Sequence, residues 1–207
     1  MKLERLRAAL RGGDLVRDED FDEVFPIPYR QVSNYFWTPV ETARRASALL
    51  VAEGARRILD VGAGVGKFCL VGAASTRKAT FVGVEHRAHL VDAARDAARS
   101  LQVARVEMIQ ARFSAEIASG FDAFYLYNPF AENFFDASSR LDDTVTLSPE
   151  RYHDEIDITH QVLSAAPRGT NVVTFWGFGA RMPPRYHLVH TECSRGGSLS
   201  LWIKSDA

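Results

Sequence analysis

A chain of 207 residues, 46% hydrophobic and 25% charged, has the size and composition of one globular domain with a full core. Its 25 basic and 26 acidic side chains leave a formal net charge of -1, so overall charge selects neither a nucleic-acid nor a membrane-surface partner. Cys69 and Cys193 lie far apart and form no ligand pair; the opening MKLERLRAALRGG lacks an apolar centre, and no stretch approaches ~18 uninterrupted apolar residues. The expectation is a reduced, cytoplasmic chain with no membrane span.

Leu3, Leu6 and Leu10 repeat at helical spacing, and Gly12-Gly13 stops that helix. After the acidic stretch Asp18 to Glu23, PIPYR is expected to be extended, because a residue before proline is pushed out of the helical region. Thr38-Pro39-Val40-Glu41 has the form of a capping box for a helix that ends near Glu53-Gly54. From Arg57 the chain alternates: RILDVGA (strand), GKFCLVGAAS (helix), TFVGVE (strand), AHLVDAARDAARSL (helix), then the strands RVEMIQ and FDAFYLYN. A helix from Pro149 to about Ala165, capped by Ser148, precedes the strand NVVTFWGF. Short continuous apolar runs are how strands covered on both faces read, and the alternation implies an α/β, Rossmann-like, doubly wound parallel sheet. HLVHTE and SLSLWIK, joined by a turn at Arg195-Gly196-Gly197, are expected as an antiparallel pair at one edge. Residues 1–56 thus form a helical extension or cap, and 57–207 the main domain.

Asp60-Val61-Gly62-Ala63-Gly64-Val65-Gly66 ends the first strand and opens a helix, and Glu85 ends the second strand. A phosphate-cradling loop needs Ser or Thr after Lys67, where Phe68 stands. The dinucleotide fingerprint wants a third glycine at position 67 and gives Asp60 no role. An acid before a glycine turn, with a second acid ending the next strand, fits S-adenosylmethionine: Asp60 toward the ammonium group, Glu85 toward the ribose hydroxyls. A glycine turn with no ligand is the plain alternative.

On these residues the chain resembles the class I, seven-strand S-adenosylmethionine-dependent methyltransferases, over about Arg57 to Lys204. LDVGAGVGKFCLVGAAS, FVGVE and NPFAENFF together look most like the non-SET lysine methyltransferases. The resemblance implies strand order 3-2-1-4-5-7-6 with the last strand antiparallel. It also implies cofactor contacts from Asp60, Gly62, Ala63, Gly64, Gly66 and Glu85. The superfamily usually holds the adenine amino group with an acid or amide after the third strand. Here Gln110-Ala111-Arg112-Phe113 occupies that stretch: Arg112 cannot accept a hydrogen bond, Gln110 or a backbone carbonyl can, and Phe113 can pack on the ring.

Asn128-Pro129-Phe130 ends the fourth strand beside the glycine loop, where ligands of such sheets bind. An attacking amine carries hydrogens that need acceptors, and the Asn128 amide oxygen supplies one. Pro129 adds no donor and stiffens the turn, and Phe130 offers a flat wall. The tripeptide is similar to the Asn-Pro-Pro-aromatic motif of methyltransferases acting on adenine amino groups or protein glutamine, without its second proline. Alternatively, Asn128 only caps the strand with an Asx-type turn. Glu132, Asp136, Asp142 and Asp143 would attract a cationic substrate or merely solvate a loop, Phe134 and Phe135 would close a slot or pack that loop, and Trp176 reads as core. Tyr35-Phe36-Trp37-Thr38-Pro39 resembles an aromatic-Thr-Pro segment that covers the cofactor in some nucleic-acid methyltransferases. His153, Asp157 and His160 share a helix face without a further ligand, so no metal is expected. The function expected is N-methyl transfer, with protein lysine the favoured acceptor. An RNA or DNA base, or cofactor binding without catalysis, are the alternatives.

Overall fold

The computed structural model describes residues 3–206. Strands β1 (Arg57–Val61), β2 (Thr80–Glu85), β3 (Val106–Gln110), β4 (Ala123–Tyr127) and β5 (Asn171–Phe175) pair in parallel. β6 (Tyr186–Ser194) and β7 (Gly197–Lys204) form the antiparallel edge hairpin, with β7 antiparallel to β5. The order is β3-β2-β1-β4-β5-β7-β6, a seven-stranded Rossmann-like sheet in the order that the resemblance implies. β1, β4 and β5 are buried almost throughout, as their apolar runs require, whereas the edge strands β3 and β6 carry exposed positions.

Successive strands are added to one side of β1 up to β3 and to its other side from β4 on, so the crevice lies at this switch point, beyond Val61 and Tyr127. One face is covered by α1 (Leu3–Gly12), α5 (Val40–Ala52), α6 (Lys67–Ser75) and α7 (Ala88–Leu101); Leu6, Leu10, Phe21, Phe25 and Trp37 share a single apolar cluster with Ile58 and Phe81. The other face packs against α8 (Pro149–Ala165), whose start is capped by Ser148 accepting the Arg151 N–H at 3.2 Å. No helix among the described residues is long and apolar enough to cross a membrane.

Three local expectations are corrected. PIPYR is not extended: Pro26 is, at φ -54° and ψ 149°, but a short helix α3 (Ile27–Gln31) starts right after it with Pro28 in its first turn. Proline lacks only an N–H that a first turn leaves unused, so the proline that disfavours helix before it tolerates helix from its own position onward. Thr38 does not cap α5. Its hydroxyl shares a 3.1 Å hydrogen bond with Tyr125, and Asp18 accepts the Val40 N–H at 2.8 Å instead. Trp176 is not core: it is 57% exposed, with a left-handed backbone at φ 58°. Two further helices form, α4 (Ser33–Phe36) and, from the acidic stretch, α2 (Asp18–Asp22), whose Asp18 and Asp22 are buried while Glu19 is exposed.

Candidate active site

β1 ends by delivering Asp60 into a buried position and then turning on glycine. Gly62, Gly64 and Gly66 all have positive φ, and a Cβ on Gly64 would stand 2.4 Å from the Trp37 ring. A Cβ on Gly62 would meet Pro129 at 3.1 Å, so the loops after β1 and β4 touch. Gly66 differs: it faces Ala94 and Met108 and lies outside the cleft wall.

Asp60 is 5% exposed, and its one side-chain partner among the described residues is the Cys69 thiol at 3.7 Å. Burial, reinforced by the nearby Glu85 charge against the thiol hydrogen bond, lifts its pKa from the usual 3.8 to about 8. At neutral pH this carboxyl is mostly protonated, and an adjoining cation would ionise it. Between about pH 4 and about pH 8 the folded chain therefore holds a proton that the unfolded chain releases, and stability falls as pH rises. Asp60→Asn removes that slope. It is expected to raise the melting temperature of the ligand-free protein, with a gain growing by up to about 1.4 kcal/mol per pH unit. Thermal melts at pH 5 and pH 8 check this; an equal gain at both contradicts the assignment.

Glu85 is also buried, and burial raises its pKa against two N–H donors: Arg87 at 2.9 Å and Gly64 at 3.1 Å. It thereby ties the end of β2 to the glycine turn while keeping lone pairs free. Beside it, His86 is pushed down to about 4 by burial and by the Arg151, Arg87 and Arg112 charges. Its Nδ1 accepts from Arg151 at 2.6 Å, which makes it a neutral ring protonated on Nε2.

The cleft of about 180 Å³ is walled by Asp60, Gly62, Ala63, Gly64, Glu85, Phe113, Asn128, Pro129 and Phe130. Gln110 and Arg112 are not in its wall; both are exposed, and Arg112 stands 3.7 Å from Glu155. Tyr35, Phe36, Trp37 and Thr38 do border the cleft, from the N-terminal segment. Asn128 has φ 37°, a conformation asparagine tolerates, and its backbone N–H donates to Gly177 O at 2.9 Å. Its side-chain amide has no partner among the described residues, so no Asx-type cap forms. A second cleft of about 350 Å³ shares the Trp37 and Tyr127 walls and continues along Phe175, Trp176 and Arg195.

Two of the four acids in the loop after β4 are occupied. Glu132 and Asp142 accept from the buried Arg87 guanidinium at 3.0 and 3.1 Å, and Asp136 and Asp143 are exposed. Phe134 is exposed but rests on Tyr152, and Phe135 faces Phe36 across the cleft mouth. Sequence reasoning passed over two contributors. Lys67, 2% exposed, binds Asp22 at 2.6 Å and Asp18 at 2.8 Å, fastening the N-terminal segment over the glycine turn. Glu155 enters the cleft wall from α8. Lys67 meets acids distant in the chain, and Glu155 reaches the cleft from an element far from the glycine turn, for which one sequence holds no local signal. No cluster of three or more metal-ligating side chains occurs among the described residues.

A family model described as a methyltransferase domain matches residues 52–141. Comparison with curated proteins finds no match. Among solved structures, an RNA methyltransferase from Salinibacter ruber in complex with S-adenosyl-L-homocysteine is 25% identical, covering 82% of this chain and 94% of its own, with TM-score 0.56. A magnesium protoporphyrin IX methyltransferase from Synechocystis with bound S-adenosylmethionine is 14% identical over 99% and 98% of the two chains, with TM-score 0.54. An O-methyltransferase family protein from Burkholderia thailandensis is 13% identical over 91% and 59%, with TM-score 0.57. The last two likenesses are of fold alone.

Proposed function

We propose that this chain, a class I S-adenosylmethionine-dependent methyltransferase, transfers the methyl group to a nitrogen, with residues 57–207 carrying the reaction and 1–56 covering the cofactor. The observation that carries the nitrogen reading is Asn128: an amide with no partner among the described residues, held at the switch point against the glycine turn.

The wall residues fit the cofactor. Asp60 is a buried carboxyl lacking a cation, which the ammonium of the methionine part supplies. Glu85 keeps acceptor capacity for ribose hydroxyls after its two backbone bonds. The glycine turn clears space that any Cβ would fill. When bound, the cofactor supplies an electrophilic methyl on a good leaving group. The residues then need only position: the Asn128 oxygen accepts an N–H of the acceptor and turns its lone pair toward the methyl carbon. A bound cofactor would supply the methyl group and leave as the neutral sulfide, and the surplus proton of the acceptor nitrogen would pass to water.

For the acceptor itself, the amino group of a nucleobase in RNA is the better reading. The acidic loop that favoured lysine has two of its acids engaged by Arg87. The second cleft instead offers the exposed Trp176 ring beside half-buried Tyr127, and at its rim Arg195, which donates one nitrogen to Asp18 at 2.7 Å and keeps its others for a phosphate. The RNA methyltransferase at 25% identity supports the same reading. Protein lysine stays as the second reading, favoured by exposed Asp136 and Asp143. Incubation of cell lysate with methyl-labelled cofactor, followed by nuclease or protease, tests this: the label should become acid-soluble with nuclease. Release by protease alone would select lysine.

A further inference from the structure

The stretch after β3 supplies no acceptor to the cleft from a side chain. Gln110 and Arg112 are exposed, and Ala111 and Phe113 are apolar. An adenine amino group buried there without an acceptor would lose a hydrogen bond that water gives it, which costs affinity. Yet one carboxylate does reach this end of the cleft. Glu155, on the second turn of α8, is 5% exposed and stands in the cleft wall with His86, Phe113, Phe130 and Leu147.

Its two oxygens are partly engaged. Oε1 accepts from Arg151 Nε at 3.0 Å, with the Arg112 guanidinium 3.7 Å away. Oε2 accepts only from the Asn133 amide, at 3.3 Å. A carboxylate oxygen accepts two hydrogen bonds, so Oε2 retains a lone pair inside the cleft. The group is also held in place. Arg151 grips Glu155 with Nε, His86 Nδ1 with one terminal nitrogen at 2.6 Å, and the Thr146 carbonyl with the other at 2.7 Å. That clamp fixes an acceptor, Glu155, beside a flat neutral ring, His86, whose Nε2–H has no hydrogen-bond partner among the described residues.

We propose that Glu155 is the acceptor for the 6-amino group of the cofactor's adenine, in place of the acid that the segment after β3 does not provide, with Arg151 as its positioning residue. This rests on the S-adenosylmethionine reading of the cleft. Apolar Phe113 and Leu147 and the His86 face enclose the ring, and Glu155 selects its edge.

The test compares two ligands that differ at one position: S-adenosylhomocysteine and its 6-oxo analogue, S-inosylhomocysteine, titrated calorimetrically. The wild-type protein should prefer the amino compound by tenfold to a hundredfold, roughly the worth of a hydrogen bond to a charged group. Glu155→Gln keeps the shape but can turn its NH2 to the 6-oxo group, so the preference should fall to within about threefold or invert. Equal wild-type affinity for the two ligands overturns the proposal without any variant. So does a Glu155→Gln protein that folds and keeps the full preference. If the wild-type protein binds neither ligand, the cofactor reading fails with it, an outcome distinct from the other two.

Discussion

Asn128→Ala should lower turnover by about 10²–10³-fold while leaving S-adenosylhomocysteine affinity within about threefold. In the proposed reaction the amide would contact the acceptor nitrogen and not the cofactor, so the loss is expected in the reaction step. Because Asn128 has φ 37°, alanine also brings backbone strain, on the order of 1 kcal/mol. Glycine relieves that strain, so Asn128→Gly separates the two effects. If turnover collapses in the glycine variant with its melting temperature preserved, the amide is responsible. A glycine variant with wild-type turnover would make Asn128 a turn residue and end the nitrogen argument.

Lys67→Met is expected to destabilise the protein by about 3–5 kcal/mol, because it leaves buried Asp22 without a cation and Asp18 with Arg195 alone. Lys67 bonds Asp18, Asp22 and the Ser33 hydroxyl, and its ammonium lies 5.8 Å from the Phe21 ring centre. Burial already raises the Asp22 pKa against the pull of Lys67, so removing that pull leaves the desolvation cost uncompensated. Asp18 is shared further: it accepts from the Val40 N–H at the start of α5 and from Arg195 at 2.7 Å. Loosening this hub should free the segment that lays Trp37 on Gly64, and with it weaken cofactor binding. Denaturant unfolding followed by tryptophan fluorescence measures the loss. Adding Asp18→Asn and Asp22→Asn should restore most of it. A loss under about 1 kcal/mol in the single variant would show that the cluster is not the fastening described.

The sheet was legible because its signals are local. Apolar runs such as RILDV and FYLY repeat at strand length between amphipathic helices, and Arg195-Gly196-Gly197 marks the one hairpin. The glycine turn and its acids were legible for the same reason. Asp60 and Glu85 sit at strand ends by spacing alone, and the parallel β1–β2 register brings both to the same edge. What sequence could not give is which charges meet. The capping box at Thr38 is sound locally, yet Tyr125 takes the hydroxyl and Asp18 takes over the cap. Glu132 and Asp142 read as a lure for cations until Arg87 is seen between them. Trp176 reads as core from its neighbours in NVVTFWGF, but the strand stops at Phe175 and the next residue turns left-handed toward solvent. In the first two cases tertiary pairing decides the role of a residue whose type and local spacing were read correctly, and in the third a single backbone turn does.

On the proposed reading, the methyl group goes to nitrogen at the Asn128 edge of the cleft. The most direct measurement of this is the identity of the methylated atom: RNA labelled by the enzyme in lysate, digested to nucleosides and resolved by mass spectrometry against standards. The account predicts a label on the exocyclic amino nitrogen of a base, absent when Asn128→Ala replaces the wild-type enzyme. Label on a ribose 2′-oxygen or on a ring carbon would contradict it.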